Sequence, residues 1–382
     1  MSDLKDMYRT IIADGFPDTM TITLGDSVLT YKKRTWAMAG EVRGLRYGEN
    51  PDQPAALYEF AGGKNTVANL AWRNAGQGIV SALTEAQMVQ SGKHPGKTNL
   101  TDVDNACNIL QYLSIRPAAA ILKHNNPCGA AWADSLFEAL DKAFWCDRIA
   151  AFGGAVVVNR PLDKACAELI ASQYFEVVAA PSFEDGVVDI IKARKNLRIF
   201  ELPGLARLDE FCGIPMLDFK SLADGGIIIQ KSFVNRIRTA EDFIPATGTS
   251  KDGSVFTARK PTLKEADDLL FAWAVESGVT SNSVIFARDG ATVAIGTGEQ
   301  DRVGVAEIAR DKAYTKHADW IAWEKYQLPF NDLRLKFGED DGAKKQAEIM
   351  EQTKAEKGGL PGCAMVSDAF FPFRDGAEVG IR

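Results

Sequence analysis

The chain has 382 residues, of which 46% are hydrophobic and 25% are charged, and these values exclude a disordered, collagenous or coiled-coil protein. A chain of this length is expected to form about two or three domains. The formal net charge is -7 at pH 7. Proteins that bind a nucleic-acid backbone usually carry a surplus of basic residues, so we expect no nucleic-acid partner.

The sequence also predicts a cytoplasmic protein that does not enter a membrane. Its longest apolar run, over 149–158, is well short of the roughly 20 residues that a membrane helix needs. Charged residues stand close to Met1, where a secretion signal needs an apolar stretch. The six cysteines are too sparse for a disulfide scaffold and no two form C-x-x-C, so we expect reduced thiols and no structural zinc.

Short apolar strands alternate with amphipathic helices in the first half of the chain, which is typical of α/β layers. The apolar spacing predicts a helix over 102–113 with Thr101 as its N-cap, and the apolar run 118–122 predicts a buried strand. A glycine-containing loop is expected over 123–134. The next predicted elements are a helix from Ser135 to Cys146 with Glu138 completing a capping box, a strand over 151–158, a helix over 163–173 and a strand over 177–180.

The middle of the chain, over 206–260, contains several prolines and glycines and has no regular period, so we place a connecting segment there. An N-terminal domain is expected over 1–205 and a C-terminal domain over 261–382. The elements predicted in the second domain are a helix capped by Thr262 and Glu265 and ending near Gly278, a hairpin of 283–287 and 292–296, helices over 303–312 and 339–357, and a strand over 364–366.

Lys123 and His124 form the cluster with the most informative chemistry, because they stand together where a predicted strand ends. A neutral imidazole can take up a proton near pH 7, and a desolvated or crowded lysine can donate one. From these two residues alone, a turn with a surface lysine and a structural histidine is the preferred interpretation.

A zinc site of the base-deaminase type is not predicted at this turn. Such sites combine H-x-E with a later P-C-x-x-C. Here Asn126 stands in the place of the glutamate and Ala131 in the place of the second cysteine, so the ligand set is broken. Cys128 matches no thiol-enzyme signature, which favours a small buried cysteine over a nucleophile.

Three further clusters could bind a ligand, and each also has an ordinary structural explanation. Arg46 and Tyr47 precede a glycine turn and could hold an anion and stack a base, or form an exposed turn. Gly153 and Gly154 could admit a ligand close to the backbone or mark a bulge. The loop 296–302 could cradle a phosphate before a helix, but a lone G-x-G is weak support.

These clusters occur in one order that resembles the 5-aminoimidazole-4-carboxamide ribonucleotide (AICAR) formyltransferase family. The matching segments are 46–51, 123–129, 151–154, 281–283 and 367–375. The resemblance runs from about residue 44 to the end of the sequence. The stretches K-H-x-N-P-C-G and S-D-A-F-F-P-F-R-D are its most specific parts.

The resemblance implies a fold, a reaction and an assembly. The fold would be two cytidine-deaminase-like, three-layer α/β domains without zinc. The reaction would move a formyl group from the co-substrate 10-formyltetrahydrofolate to the 5-amino group of AICAR, in purine biosynthesis and without a catalytic metal. The partners would be AICAR, folate and a second copy of the chain, in a homodimer with shared active sites.

The resemblance also implies roles for particular residues. Lys123 and His124 would be the catalytic pair, and Asn282 would polarise the formyl group. The residues implied to bind substrate are Arg46, Tyr47, Asn99, Phe152, Gly153, Glu176, Arg302, Phe370 and Pro372. The residues implied to contact the folate are Phe373, Asp375 and Val303.

Three departures from the family pattern lead to further expectations. Only about 40 residues precede the first motif, so the cyclohydrolase activity of bifunctional members is expected to be absent. Asp52 replaces a common histidine, and the chain stops at Arg382, before a P-G-G-S loop and a late arginine that the family usually carries. The alternative function is therefore a non-catalytic nucleotide- or folate-binding homologue. A metal-dependent hydrolase is a third hypothesis, disfavoured by Asn126 and Ala131.

Overall fold

The structure is a computed structural model that describes residues 11, 13–38, 40–64 and 75–381. Its strands are β1 Thr19–Leu24, β2 Ser27–Arg34, β3 Trp36–Met38, β4 Glu41–Arg43, β5 Leu57–Lys64, β6 Met88–Gln90, β7 Ala118–Lys123, β8 Asn126–Trp132, β9 Ala155–Val158, β10 Val177–Ala180, β11 Arg198–Glu201, β12 Leu217–Ser221, β13 Ile227–Lys231, β14 Thr247–Thr249, β15 Val255–Thr257, β16 Ser283–Arg288, β17 Ala291–Thr297 and β18 Ala364–Ser367. Its α-helices are α1 Lys97–Leu110, α2 Leu136–Cys146, α3 Arg148–Ala151, α4 Lys164–Ser172, α5 Val187–Ile191, α6 Leu263–Glu276, α7 Arg302–Tyr326, α8 Leu333–Phe337, α9 Glu339–Ala355 and α10 Arg374–Ile381. Short 3-10 helices cover Pro203–Phe211, Ala240–Asp242, Phe330–Asp332 and Lys357–Gly359.

The chain divides into two compact units, and the division differs from the predicted single junction. The first unit is formed by 1–125 and 152–234, and the second by 126–151 and 235–382. The second unit therefore includes a segment from the first half of the chain. The assignment of cytidine-deaminase-like domains to 1–205 and 261–382 stays a prediction. Within the described residues, no helix is both long and apolar enough to cross a membrane.

The first unit is built on strands in the order β7-β9-β10-β11-β6. β9, β10 and β11 are parallel, whereas β7 and β6 run antiparallel to their neighbours. Every residue of β9 and β10 is buried, which explains why both strands are continuous apolar runs in the sequence. The buried face of α1 packs on β7 and β9. The predicted strands over 118–122 and 177–180 and the helix over 163–173 are confirmed.

Helix α1 begins at Lys97, five residues before the predicted start, so the prediction of Thr101 as its N-cap is wrong. The Asn99 side chain accepts a hydrogen bond of 3.1 Å from the backbone N–H of Gly96. The hydroxyl of Thr101 donates to the carbonyl of Thr98 at 3.2 Å, inside the helix. Polar residues fill the first turn, and apolar periodicity therefore could not detect it.

The predicted loop over 123–134 is wrong, because most of it forms β8. A Cβ atom on Gly129 would lie 2.1 Å from the carbonyl oxygen of Ala143 in α2, so the glycine permits close packing of a strand against a helix. The predicted strand over 151–158 is also too long. Helix α3 ends at Ala151, Gly153 has a φ of 78°, and β9 begins only at Ala155.

The second unit contains strands in the order β18-β16-β17-β8, each antiparallel to its neighbour. The predicted hairpin is confirmed as β16 and β17. The predicted N-caps are confirmed, since Ser135 accepts from the N–H of Glu138, and Thr262 and Glu265 form a capping box. Among the described residues, the return bond from Glu138 that would complete the first capping box is not found. Helix α7 has 25 residues, many more than predicted, because its buried face consists largely of alanines that give weak apolar contrast.

Candidate functional site

Lys123 and His124 lie where β7 ends, as the sequence predicted. Lys123 is the last residue of the strand, and the next two residues turn the chain sharply. His124 has a φ of 53° and Asn125 a φ of 62°, a left-handed conformation that residues other than glycine rarely adopt. The turn breaks the alternation of side chains along the strand, and it leaves the His124 side chain exposed.

Two polar side chains of α1 hold this left-handed turn. The buried Asp102 carboxylate accepts hydrogen bonds from the backbone N–H groups of Asn125, at 2.6 Å, and of His124. The Asn105 side chain donates to the Asn125 carbonyl at 2.9 Å. These bonds offset the cost of the left-handed backbone and thereby fix the position of His124.

We expect the free energy of unfolding to depend on pH through the carboxyl group of Asp102. Burial raises the pKa of its carboxyl from 3.8 to about 6, although the two N–H donors oppose the shift. Because the folded-state pKa is the higher one, this contribution to stability is fully present below about pH 4 and is lost as the pH rises to about 6. From about pH 3 to about pH 7, the free energy of unfolding should fall by about 3 kcal/mol more in the wild type than in Asp102→Asn. Urea unfolding at several pH values measures the difference, and parallel curves for the two proteins would contradict it.

Lys123 lies beside an open space that glycine creates. Its ammonium donates a hydrogen bond of 2.7 Å to the carbonyl of Phe152. A Cβ atom on Gly153 would lie 4.0 Å from the Lys123 Nζ and 3.6 Å from the Tyr174 ring. The Phe152 ring is exposed and lies over the Tyr174 ring, with centroids 4.8 Å apart. The arrangement places a cation and an aromatic surface side by side.

The same unit contains two buried arginines, and the sequence had indicated only one of them. Arg198 is 1% exposed, and its guanidinium lies 3.3 Å from the Glu176 carboxylate and donates to the His94 carbonyl. Arg46 is also buried and donates to the Tyr47 hydroxyl at 2.8 Å. Glu176 also interacts with Tyr174, which connects the arginines to the aromatic pair beside Lys123.

These two guanidinium groups have the charge and the hydrogen-bond donors that an anion would need. Burial, together with the positive charge of Arg46, lowers the pKa of Arg198 to about 10. Among the described residues, Arg198 pairs with one carboxylate, that of Glu176. The Nε atom of Arg46 is buried and has no hydrogen-bond partner there. A phosphate or carboxylate of a ligand would add negative charge beside the two buried arginines. It would also accept a hydrogen bond from the Nε atom of Arg46.

A cavity of about 290 Å³ lies against the turn that carries His124, at the lower end of the usual size for a ligand site. Lys97 lines it and pairs with Glu49. The other lining residues are Thr98, Thr101, Asp104, Asn105, Asn108 and Asn125. Asp52, by contrast, lies exposed in a turn closed by hydrogen bonds between Asn50 and Gln53.

In the second unit, Asn282 lies just before β16 and its amide is oriented by two bonds. Its oxygen accepts from Arg302 at 2.8 Å, and its nitrogen donates to the Gln300 carbonyl at 3.0 Å. A primary amide has two N–H groups, and only one of them has a partner among the described residues, so the other could serve a ligand.

Arg302, the first residue of α7, also forms an ion pair with Asp368. The Asp368 carboxylate accepts from the Ser281 hydroxyl at 2.5 Å and from the Ser283 N–H at 2.9 Å. Burial acts to raise the pKa of this carboxyl, but the hydrogen bonds and Arg302 lower it below its ordinary value. Asp368 is therefore an anion at neutral pH, and it holds Arg302 in place.

The residues of the motif 367–375 that were predicted to bind substrate or folate lie on the surface. Phe370 and Phe373 are 80% and 76% exposed, and Pro372 and Asp375 are exposed as well. Val303 is half-buried in the first turn of α7.

Each unit gathers part of the predicted set. The first unit holds Arg46, Tyr47, Asn99, Lys123, His124, Phe152, Gly153 and Glu176, and the second holds Asn282, Arg302, Val303, Phe370, Pro372, Phe373 and Asp375. Sequence reasoning missed Asp102, Arg198 and Asp368. Arg198 could have been noticed as a charge that opens an apolar strand, and Asp368 as a member of the motif 367–375.

The broken zinc motif contains residues that serve the fold. The Asn126 side-chain oxygen accepts from the Thr280 N–H at 3.1 Å, and Ala131 is buried. Within the ranges 11, 13–38, 40–64 and 75–381, no three His, Cys, Asp or Glu side chains are grouped so that they could hold a metal ion.

Comparison with known proteins gives a consistent match. Residues 6–312 match the family described as AICARFT/IMPCHase bienzyme. The bifunctional purine biosynthesis protein PurH of Ruegeria pomeroyi is 34% identical over 361 residues, which cover 92% of this chain and 55% of that protein. The protein of the same name from Dinoroseobacter shibae is 33% identical over 362 residues, covering 93% and 56%. The chain thus spans about half the length of the curated relatives it matches.

Proposed function

Because the chain belongs to the AICARFT/IMPCHase bienzyme family, we propose that it is a cytoplasmic, folate-dependent formyltransferase of purine biosynthesis. It transfers the formyl group of 10-formyltetrahydrofolate to the 5-amino group of AICAR, and the products are FAICAR and tetrahydrofolate. The observation that carries the proposal is the turn at Lys123 and His124, which Asp102 holds in the same unit as the two buried arginines. No metal takes part in this scheme.

The mechanism begins with a weak nucleophile. The lone pair of the 5-amino group is delocalised into the imidazole and the carboxamide, so a base is needed to remove a proton as the new C–N bond forms. His124 is assigned this role, because it is exposed beside a cavity and is held by backbone bonds to Asp102. The proton passes from the amine to the imidazole.

The next steps form and break down a tetrahedral intermediate. Negative charge develops on the formyl oxygen, and the free N–H of Asn282 is assigned to stabilise it. The bond between the formyl carbon and N10 of tetrahydrofolate then breaks. Lys123 donates a proton to the leaving nitrogen. The cycle closes when His124 releases its proton to solvent and Lys123 takes one up from solvent. Orientation of two bound substrates supplies a further large part of the rate.

The first unit is assigned to bind the nucleotide, because it contains donors for a phosphate and an aromatic surface for the base. The guanidinium groups of Arg46 and Arg198 provide charge-assisted donors for a phosphate, and Nε of Arg46 is a buried donor without a partner among the described residues. The exposed face of Phe152, supported by Tyr174, can stack on the imidazole ring.

A turnover assay tests the proposal. Purified protein is mixed with AICAR and 10-formyltetrahydrofolate, and tetrahydrofolate formation is followed by absorbance and FAICAR by mass spectrometry. We expect product only when both substrates are present. Binding of AICAR and folate by calorimetry without any product would instead support the alternative, a non-catalytic nucleotide- or folate-binding homologue.

We also propose that the protein is a homodimer, and an exposed hairpin supports this. Ile227, Ile228 and Ile229 of β13 are 63%, 50% and 42% exposed. Neighbours in a strand point to opposite faces, so both faces of the β12–β13 hairpin are apolar and open. An isolated two-stranded hairpin is marginally stable in water, and a second copy covering it would provide the missing burial.

Light scattering should give a mass of twice 41.6 kDa for the wild type. Ile229→Lys should shift the protein towards monomer, because it places a charge in the contact. Leu335→Lys is the matched control, since Leu335 is an exposed leucine of α8. A monomeric wild type with full turnover would contradict the prediction.

A further inference from the structure

A buried acid with no role in the mechanism above lies at the end of helix α6. Glu276 is 7% exposed, and its Oε1 atom accepts a hydrogen bond from the hydroxyl of Ser283. Its other oxygen, Oε2, is buried and has no hydrogen-bond partner among the residues that the structure describes. An unpartnered oxygen of a buried carboxylate is costly, and such a group needs an explanation.

Glu276 is one end of a continuous polar chain that reaches Asn282. The Ser283 hydroxyl contacts Glu276, and the Ser283 backbone N–H donates to Asp368 at 2.9 Å. Asp368 forms the ion pair with Arg302, and the same guanidinium donates to the Asn282 oxygen at 2.8 Å. A displacement of Ser283 would therefore also move the side-chain amide of Asn282, which is assigned to stabilise the formyl oxygen.

The charges around Glu276 favour its neutral form. Among the described residues, Asp368, which follows β18, and Arg302, which begins α7, are the charged groups that act on it. The residue that β16 presents to it, Ser283, is uncharged, and β17 contains no charged residue. Burial and the charge of Asp368 raise the pKa of Glu276 to about 7, although the Ser283 hydroxyl and Arg302 oppose this shift. If both carboxyl groups were ionised, two negative charges would compete for one arginine.

We propose that Glu276 is a positioning residue, which acts through Ser283 and Asp368 to hold Arg302 and Asn282 in the orientation that the reaction requires. The neutral acid leaves Arg302 bound to Asp368 and directed at Asn282. Ionisation adds a second negative charge beside Ser283 and weakens that orientation. The inference rests on the proposed function, since Asn282 has its role in formyl transfer.

The test compares pH profiles of kcat. In the wild type, kcat should fall as the pH rises through about 7, since Glu276 ionises there. Glu276→Gln imitates the neutral acid, so it should keep the kcat of the wild type below pH 7 and lack the fall above it. Glu276→Leu removes the bond to Ser283 and should lower kcat by about 10-fold to 100-fold at every pH, with an unchanged KM for AICAR. Glu307→Gln, an exposed glutamate of α7, is the matched control and should follow the wild type.

Failure of this inference can be told apart from failure of the proposed function. A wild type that forms no product contradicts the proposed function. A wild type that turns over, with a Glu276→Gln variant of identical pH profile, overturns the positioning role of Glu276. If Glu276→Leu does not fold, the profile of Glu276→Gln still decides between the two outcomes.

Discussion

Replacement of His124 by alanine is expected to lower kcat for formyl transfer by about 10²–10⁴-fold, the usual contribution of a general base. The reason is that the 5-amino group must lose a proton as it attacks, and His124 is the base assigned to that step. The KM for AICAR should change much less, because the phosphate is assigned to the buried arginines. Steady-state kinetics with both substrates varied measures the two parameters separately.

The control for this variant is His317→Ala, the same chemical change at a histidine of α7 that pairs with Glu356. This control should keep the kcat of the wild type. If His124→Ala also turns over like the wild type, His124 is a structural residue of the left-handed turn, and the base must be sought elsewhere.

Replacement of Lys123 by arginine should abolish most turnover while the protein still binds AICAR. Arginine keeps the positive charge, but the pKa of its guanidinium is far higher than that of a lysine ammonium, which prevents it from donating a proton to the leaving nitrogen. Binding should persist because the charge near the nucleotide is retained. Single-turnover kinetics and calorimetric titration with AICAR measure the two effects on one protein preparation.

Lys164→Arg is the matched control, since Lys164 is an exposed residue of α4 in the same unit. It should leave both turnover and affinity unchanged. A Lys123→Arg variant that retains nearly full activity would show that Lys123 acts only by its charge, and the assignment of the proton donor would be withdrawn.

Local patterns were sufficient for many elements of the fold. The buried strands over 118–122 and 177–180 are short apolar runs, and Ser135 and Thr262 carry the expected N-cap bonds. The hairpin of β16 and β17 was predicted from its turn residues. These features depend on residues within a few positions of one another, so a single sequence contains the information for them.

Other features of the fold depended on partners far away along the chain. Gly129 suggested a loop, yet it lies in β8, where Ala143 of α2 packs too closely to leave room for a side chain. The same holds for the division into units, in which 126–151 joins residues beyond 235. Such contacts override local preference, and no window of neighbouring residues reveals them.

For the candidate site, the sequence by itself determined which motif residues to consider, among them Lys123, His124 and Asn282. Only the tertiary structure decided that Asp102 holds the His124 turn, that Arg198 is buried beside Glu176, and that Asp368 and Glu276 lie on one polar chain. The physical reason is burial. A charged residue in a sequence is usually solvated, and only the fold removes water from around it and forces it to find a partner.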